Sequence, residues 1–175
     1  MSSFSVRAAG AADREVLARL WLMFRHDLSE FRGQLPNPDG SFRTERLEAA
    51  FGNPDWVAYL FGQGDRPVGF AIVRGLTGQL RVLSSFFVVR GARRSGIGLR
   101  AVQDVVAAHP GPWEVAFQYD NVTAVRFWRR VATEIAGVAW TEERRPVPGQ
   151  PGLPPDVWIS FKASAPGRAD GDPAT

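Results

Sequence analysis

Two short stretches hold residue types whose spacing permits chemistry. The first is Arg93, Arg94, Ser95, Gly96, Ile97, Gly98 and Leu99, entered from the apolar run Phe86-Phe87-Val88-Val89 and left by a helical pattern. The first amides of a helix lack internal acceptors and carry partial positive charge. Phosphate oxygens accept hydrogen bonds from such amides. Gly96 and Gly98 allow close backbone approach because no Cβ intervenes, and Arg93 and Arg94 add fixed positive charge. The chemistry expected is phosphate binding; the competing reading is a plain turn with solvated arginines. The Gly-Lys-Ser/Thr ending of a P-loop is missing, and the mid-chain Arg-x-x-Gly-x-Gly spacing is not the dinucleotide fingerprint. The second stretch runs from Asn121 through Ala124 to Phe127 and Trp128. Asn121 stands where a helix cap belongs.

The elements that must position these stretches follow from periodicity. A first strand is expected at residues 4–8, then a helix capped by Asp13 with Leu17, Leu20, Trp21, Phe24 and Leu28 as its apolar stripe. Gly33, Pro36, Pro38 and Gly40 make 32–41 a loop, and a short helix fits 43–51. Strands fit 56–62 and 67–75 around a Gly64-Asp65 turn, and a third fits 81–90. A helix from Ile97 to His109 ends at Pro110-Gly111-Pro112. Then come a strand over 113–119, a helix over 122–132, and strands over 135–142 and 156–163. A strand feeding a helix and then another strand predicts one parallel pair in a mixed, mostly antiparallel sheet flanked by helices, an α/β (α+β) domain. One domain is expected over 1–163, with 164–175 a disordered tail of Pro, Gly, Ala and charged residues.

Composition narrows the function classes. The 175 residues contain no Cys and two His, which argues against disulfides, a Cys nucleophile and a protein metal site. No apolar run is long enough to cross a bilayer, and the N-terminus does not read as a signal peptide, so a cytoplasmic protein with no membrane partner is expected. The 21 basic residues against 18 acidic leave a net charge of +3. That is too mild to indicate nucleic acid, although it suits a ligand with several phosphates.

The first stretch resembles the acyl-CoA-binding motif of the GNAT (Gcn5-related N-acetyltransferase) superfamily, Arg/Gln-x-x-Gly-x-Gly/Ala. The second is similar to the Asn-x-x-Ala-x-x-Phe/Leu-Tyr pattern of its next helix. The segment His26-Asp27-Leu28-Ser29-Glu30-Phe31, the Val68-Gly69-Phe70-Ala71 strand and the Phe127-Trp128-Arg129 ending resemble a bacterial subgroup. The resemblance implies a GNAT-like fold and transfer of an acetyl group from acetyl-CoA to an amine of a small molecule or peptide. It implies that the amides of 93–99 hold the pyrophosphate and that the backbone at Val88 and Val89 meets the pantetheine arm. It implies too that Asn121 bonds the pantetheine amides, with Phe127 and Trp128 flanking the cofactor. Family members often dimerise, so a homodimer is compatible with it.

The family's usual Tyr is Trp128 here, and an indole N–H donates a hydrogen bond but not a proton near neutral pH. Tyr119 is the nearest alternative acid by sequence, unless it is a core or rim residue. Asp27 and Glu30, three apart on one helix face, are candidates to receive a proton or hold a cationic amine, or else simply end the helix. Glu114, on a strand beside the groove, would have a raised pKa if buried there, and no role if it faces outward. His26 falls off the apolar stripe and is expected to be exposed. The Trp at 128 keeps a second function open, a catalytically silent acyl-CoA-binding regulatory module of the same fold.

Overall fold

A computed structural model describes residues 3–165. The expected tail therefore lies almost wholly outside the described residues. The elements are β1 (Phe4–Ala8), α1 (Arg14–Arg32), α2 (Glu45–Gly52), β2 (Trp56–Gln63), β3 (Arg66–Arg74), β4 (Arg81–Val88), α3 (Ile97–Ala107), β5 (Gly111–Phe117), α4 (Val122–Ala136), β6 (Trp140–Arg145) and β7 (Asp156–Ala163). Seven strands form one sheet in the order β1-β2-β3-β4-β5-β7-β6. Among the described residues only the β4–β5 pair is parallel, which is the mixed sheet expected from the pattern. No described helix is long and apolar enough to cross a membrane.

Each face of the sheet has its own core. Leu17, Leu20, Trp21 and Phe24 of α1 and Leu47 of α2 pack with Leu60, Phe70, Ile72 and Phe87 on one face. On the other, Val102, Val105 and Val106 of α3 and Val125, Trp128 and Val131 of α4 cover Trp113, Val115 and Phe117 of β5. The i, i+3, i+4 spacing of these apolar residues is what makes each helix amphipathic.

Three local expectations are corrected. The last helix does not stop at residue 132. Val131, Ala132 and Ile135 continue the stripe begun at Val125 and Trp128, and α4 ends only where Gly137 adopts φ 61°. The following strand accordingly begins at Trp140 rather than Ile135. Pro112 does not exclude strand but lies inside β5, opposite Lys162 and before the parallel pairing begins at Trp113, so no ladder bond to β4 is lost there.

The third concerns Asp13, which precedes α1 but makes no side-chain cap bond to it. Its carboxylate accepts from Arg7 Nη1 and Nη2 at 2.7 and 2.6 Å and from the Gly10 amide at 2.8 Å. The Arg7 hydrogen bond first, then the Gly10 amide, hold the Asp13 pKa down to about 2. A carboxyl whose folded pKa lies below its unfolded value stabilises the fold above the unfolded value, about 3.9, and loses that contribution as pH falls through the folded one. Asp13→Asn should therefore melt below wild type at pH 7, with the difference vanishing by about pH 2. Melting curves across that range check it, and a difference independent of pH would contradict the assignment.

Candidate active site

The strand pair β4–β5 holds together only at its start. Arg81, Val82 and Leu83 pair with Trp113, Glu114 and Val115, after which the two strands have no further register partners. Ser84 is the point of divergence: Val73 pairs with Leu83 and Ile72 with Ser85, leaving Ser84 as an extra residue in β4. Such a bulge bends the strand that carries it. The resulting wedge is bordered by Ser84–Val88 on one side and the end of β5 on the other.

Backbone alternation decides which groups face the wedge. The Val89 amide donates to Val68 O of β3 at 2.9 Å. Its neighbour Val88, opposite Gly69, must then turn its own N–H and C=O away from β3, toward the wedge. The Val88 carbonyl indeed accepts from Arg93 Nε at 2.7 Å. Val89 differs from expectation: both its polar groups are used inside the protein, the carbonyl by the Ala92 amide at 3.0 Å. Of the two residues expected to meet a pantetheine arm, only Val88 has its backbone pointing that way.

The loop after β4 opens α3 with its amides free. Among the described residues, the backbone N–H groups from Arg94 through Leu99 find no protein acceptor, and the first internal bond comes from Arg100 to Gly96 O at 3.2 Å. Gly96 has φ 83°, a left-handed conformation that glycine adopts without steric cost. Arg94 adopts φ 63°, which in a residue with a Cβ costs on the order of 1 kcal/mol or more. Its side chain has no ion-pair partner among the described residues. Ser95 Oγ donates to Ala92 O at 2.7 Å and so holds the loop together from within.

Beside those amides lies a cavity of about 480 Å³. Phe86 and Val88 of β4, Gly98 and Leu99 of α3, and Ala124, Phe127 and Trp128 of α4 are among its walls. Phe86 and Phe127 stack at 5.4 Å between centroids, and the Trp128 ring meets Phe86 edge-on at 5.3 Å. Trp128 is 6% exposed, and its indole N–H has no acceptor among the described residues. Gly98 leaves the wall thin, since a Cβ there would stand 3.2 Å from the Phe127 ring. Ile97 packs against the core. Asn121 Oδ1 accepts from the Ala124 amide at 3.0 Å, capping α4 as the sequence suggests and leaving its amide nitrogen for another partner.

The expected acid and base candidates are dispersed. Asp27 lines the cavity mouth, where it pairs with Arg90 at 2.9 Å and with Arg93. Burial would raise its pKa, but the hydrogen bonds from Arg93 and Arg90 outweigh that and hold the carboxyl below its ordinary value. Glu30 and His26 are exposed, and neither lines this cavity. Tyr119 is 49% exposed, lies beyond β5 and has the Arg144 guanidinium 4.2 Å above its ring. Glu114 corrects an expectation: alternation in β5 sends Trp113, Val115 and Phe117 to the α3–α4 face and Glu114 to the other. It accepts from Arg145 at 2.8 and 3.0 Å and from Ser160 at 3.1 Å. The Arg145 bonds, opposed by burial, lower its pKa rather than raise it. No cluster of three metal-ligating side chains occurs among the described residues.

Solved structures share this architecture. The ribosomal-protein-S18-alanine N-acetyltransferase from Escherichia coli superposes with a TM-score of 0.64 at 11% identity, covering 95% of this chain and 98% of that one. An acetyltransferase from Thermus thermophilus gives 0.64 at 16% identity, covering 93% and 99%. Arabidopsis thaliana Naa50, in complex with the bisubstrate analogue CoA-Ac-MVNAL, gives 0.61 at 15% identity, covering 91% and 99%. At such identities the likeness is one of fold. No curated protein matches the chain by sequence. The sequence does match the Acetyltransferase (GNAT) family over residues 20–132. With more than half of the chain matched, and with the divergent β4–β5 pair and open helix mouth in the segment concerned, the protein belongs to the Acetyltransferase (GNAT) family.

Proposed function

We propose that this protein transfers the acetyl group of acetyl-CoA to an amine of a small molecule or peptide, by direct attack within a ternary complex. The observation that carries the reading is the run of unpaired amides from Arg94 to Leu99 at the mouth of α3, beside a cavity that leads toward the wedge. Those amides, with Arg94, suit a diphosphate. Phe86, Phe127 and Trp128 offer apolar walls to the arm beyond it, and the free Asn121 amide nitrogen a donor to its carbonyls.

Acetyl-CoA supplies a thioester whose carbonyl carbon a neutral amine can attack. The new C–N bond forms as the C–S bond breaks, and the proton lost by the amine balances the thiolate, giving an amide and a free thiol. The Val88 N–H, turned into the wedge, is the donor for the oxygen on which negative charge develops. It is held there by β3 on one side and by Arg93 on its carbonyl. The Trp128 indole can hydrogen-bond sulfur but not protonate it, so the proton reaches the thiolate through water in the open cavity. Asp27, kept ionised between two arginines, orders the loop more readily than it accepts a proton.

Calorimetric titration with acetyl-CoA tests the binding half, and absence of heat at millimolar ligand rules the reading out. Trp128 in place of the family's Tyr favours a second reading, a module that binds acyl-CoA without turnover. Thiol release that depends on an added amine excludes the module; binding without release across a broad amine panel excludes the enzyme.

A further inference from the structure

The wedge between β4 and β5 has a second face, opposite the cavity, and it is crowded with arginine. Arg74, Val82, Glu114 and Ser160 are successive register partners across β3, β4, β5 and β7, so they lie on that face in one row. Arg46 of α2 reaches over the row and donates Nη1 to Ser84 O at 2.8 Å, at the residue where the strands part. Next to it, Ser85 is 4% exposed, and its Oγ is buried without a partner. Ser85 shares a register pair with Ile72, which packs in the core under α1 and α2, so its hydroxyl belongs to this face too.

The carboxylates nearby are already engaged. Glu114 is held by Arg145 and Ser160, Asp156 by Arg32, and Glu45 by Arg43 at 3.8 Å. That leaves Arg25, Arg46 and Arg74, none of which has a carboxylate at ion-pairing distance among the described residues. The Arg25 Nε is moreover buried without an acceptor. Arg46 lies close enough to interact with Arg74, and Arg25 with Arg46. The Arg46 guanidinium is reachable by solvent yet walled by protein, and that desolvation, then Arg74 and Arg43, lowers its pKa. Burial, then Arg43 and Arg46, does the same to Arg25. Asp156 and Glu45 offset part of this repulsion, although each is ion-paired to another arginine. The like charge left over is unfavourable, and an anion placed among the three relieves it. A guanidinium fork matches a carboxylate in two parallel hydrogen bonds.

We propose that the acceptor is an amine that also bears a carboxylate, seated on the α1–α2 face of the wedge with its carboxylate on Arg46 and the neighbouring Arg25 and Arg74, and its amine directed into the wedge past Ser85. This rests on the acyltransferase reading above and narrows its substrate class. A polyamine or other purely cationic acceptor would meet the same arginines as repulsion.

Acetyl-CoA-dependent thiol release is measured with glutamate, aspartate and alanine, with their α-carboxamides, with short peptides carrying an acidic second residue, and with spermidine. The free amino acids and acidic peptides distinguish a small acceptor from a chain terminus; either fits, because both present the carboxylate. The expected result is at least about tenfold higher kcat/KM for a carboxylate-bearing amine than for its amide, the usual penalty of losing a charged hydrogen bond. Arg46→Gln should raise KM for that amine about tenfold or more with kcat little changed, Arg46→Lys should restore part of the loss, and acetyl-CoA affinity should be that of wild type, which shows that the fold is intact. Amides or spermidine used as well as the carboxylate-bearing amines, or no heat when these amines are titrated into CoA-saturated protein at millimolar concentration, would overturn the proposal while leaving the acetyl-CoA reading standing. Failure to bind acetyl-CoA sinks the function itself.

Discussion

Gly69→Ala should lower the thermal unfolding midpoint by roughly 6–12 °C, the consequence of about 3 kcal/mol of overpacking in a domain of this size. Gly69 sits in β3 opposite Val88. A Cβ there would overlap the Phe87 carbonyl oxygen and stand 2.9 Å from the Phe61 ring and 3.1 Å from Val88 Cα. The first and last of these are backbone atoms of β4, and the Phe61 ring is fully buried, so nothing can swing aside. Relief requires β4 to move off β3, which costs pairing on the strand that sets the wedge. The same shift displaces the Val88 amide, so acetyl-CoA affinity should fall along with stability. Melting by circular dichroism and calorimetry on the same sample measure both. A midpoint within 2 °C of wild type, against the roughly 6 °C or more expected, would show that the two strands do not approach as described.

The second large effect concerns ligand alone. Gly98→Val should weaken acetyl-CoA binding at least about 100-fold, or about 2.7 kcal/mol, with the fold retained. Its Cβ already stands 3.2 and 3.4 Å from the edge of the Phe127 ring, itself packed face to face with Phe86. Gly98 lines the cavity, so the two further methyls of valine add bulk at its wall. Gly98 lies in the first turn of α3, where a residue with a side chain is no worse a helix former than glycine. The melting midpoint should therefore hold while calorimetric affinity collapses. Affinity within threefold of wild type would mean that the arm of the ligand does not pass this wall.

These two glycines show different kinds of information in the chain. Gly98 belongs to a motif whose meaning is local: a few consecutive amides, a strand before them and a helix after. Nothing distant is needed to see that they lack acceptors. Gly69 carries no such mark. Its constraint comes from Phe61 and Phe87, which reach it only through two strand registers.

The same divide runs through the candidate site. Asn121 capping α4 is legible because cap and capped amide are three residues apart. The continuation of α4 through Ile135 was legible too, in the spacing of Trp128, Val131 and Ile135, and Ala136-Gly137 marks its end better than the apolar run marks a strand. The roles of the carboxylates were not. Asp27 is paired with arginines 63 and 66 residues away, and Glu114 with one 31 residues away. Alternation in β5 separates Glu114 from Trp113 and Val115 by inspection, but not which face carries the groove. Arg46 and Arg74 likewise look like ordinary surface charges until α2 and β3 bring them to one edge of the wedge.

Short-range chemistry was therefore written in the residues themselves: the order of elements, the one parallel pair, the open amides of α3 and the want of a proton-donating side chain at Trp128. Folding alone decided that β4 and β5 part at Ser84, that the Val88 amide turns inward while Val89 is consumed, and that three arginines without an ion-pair partner among the described residues line the opposite face. The physical reason is range. An orphaned helix amide depends on its nearest neighbours, whereas a strand's divergence and the charge around it depend on contacts between segments far apart in the chain.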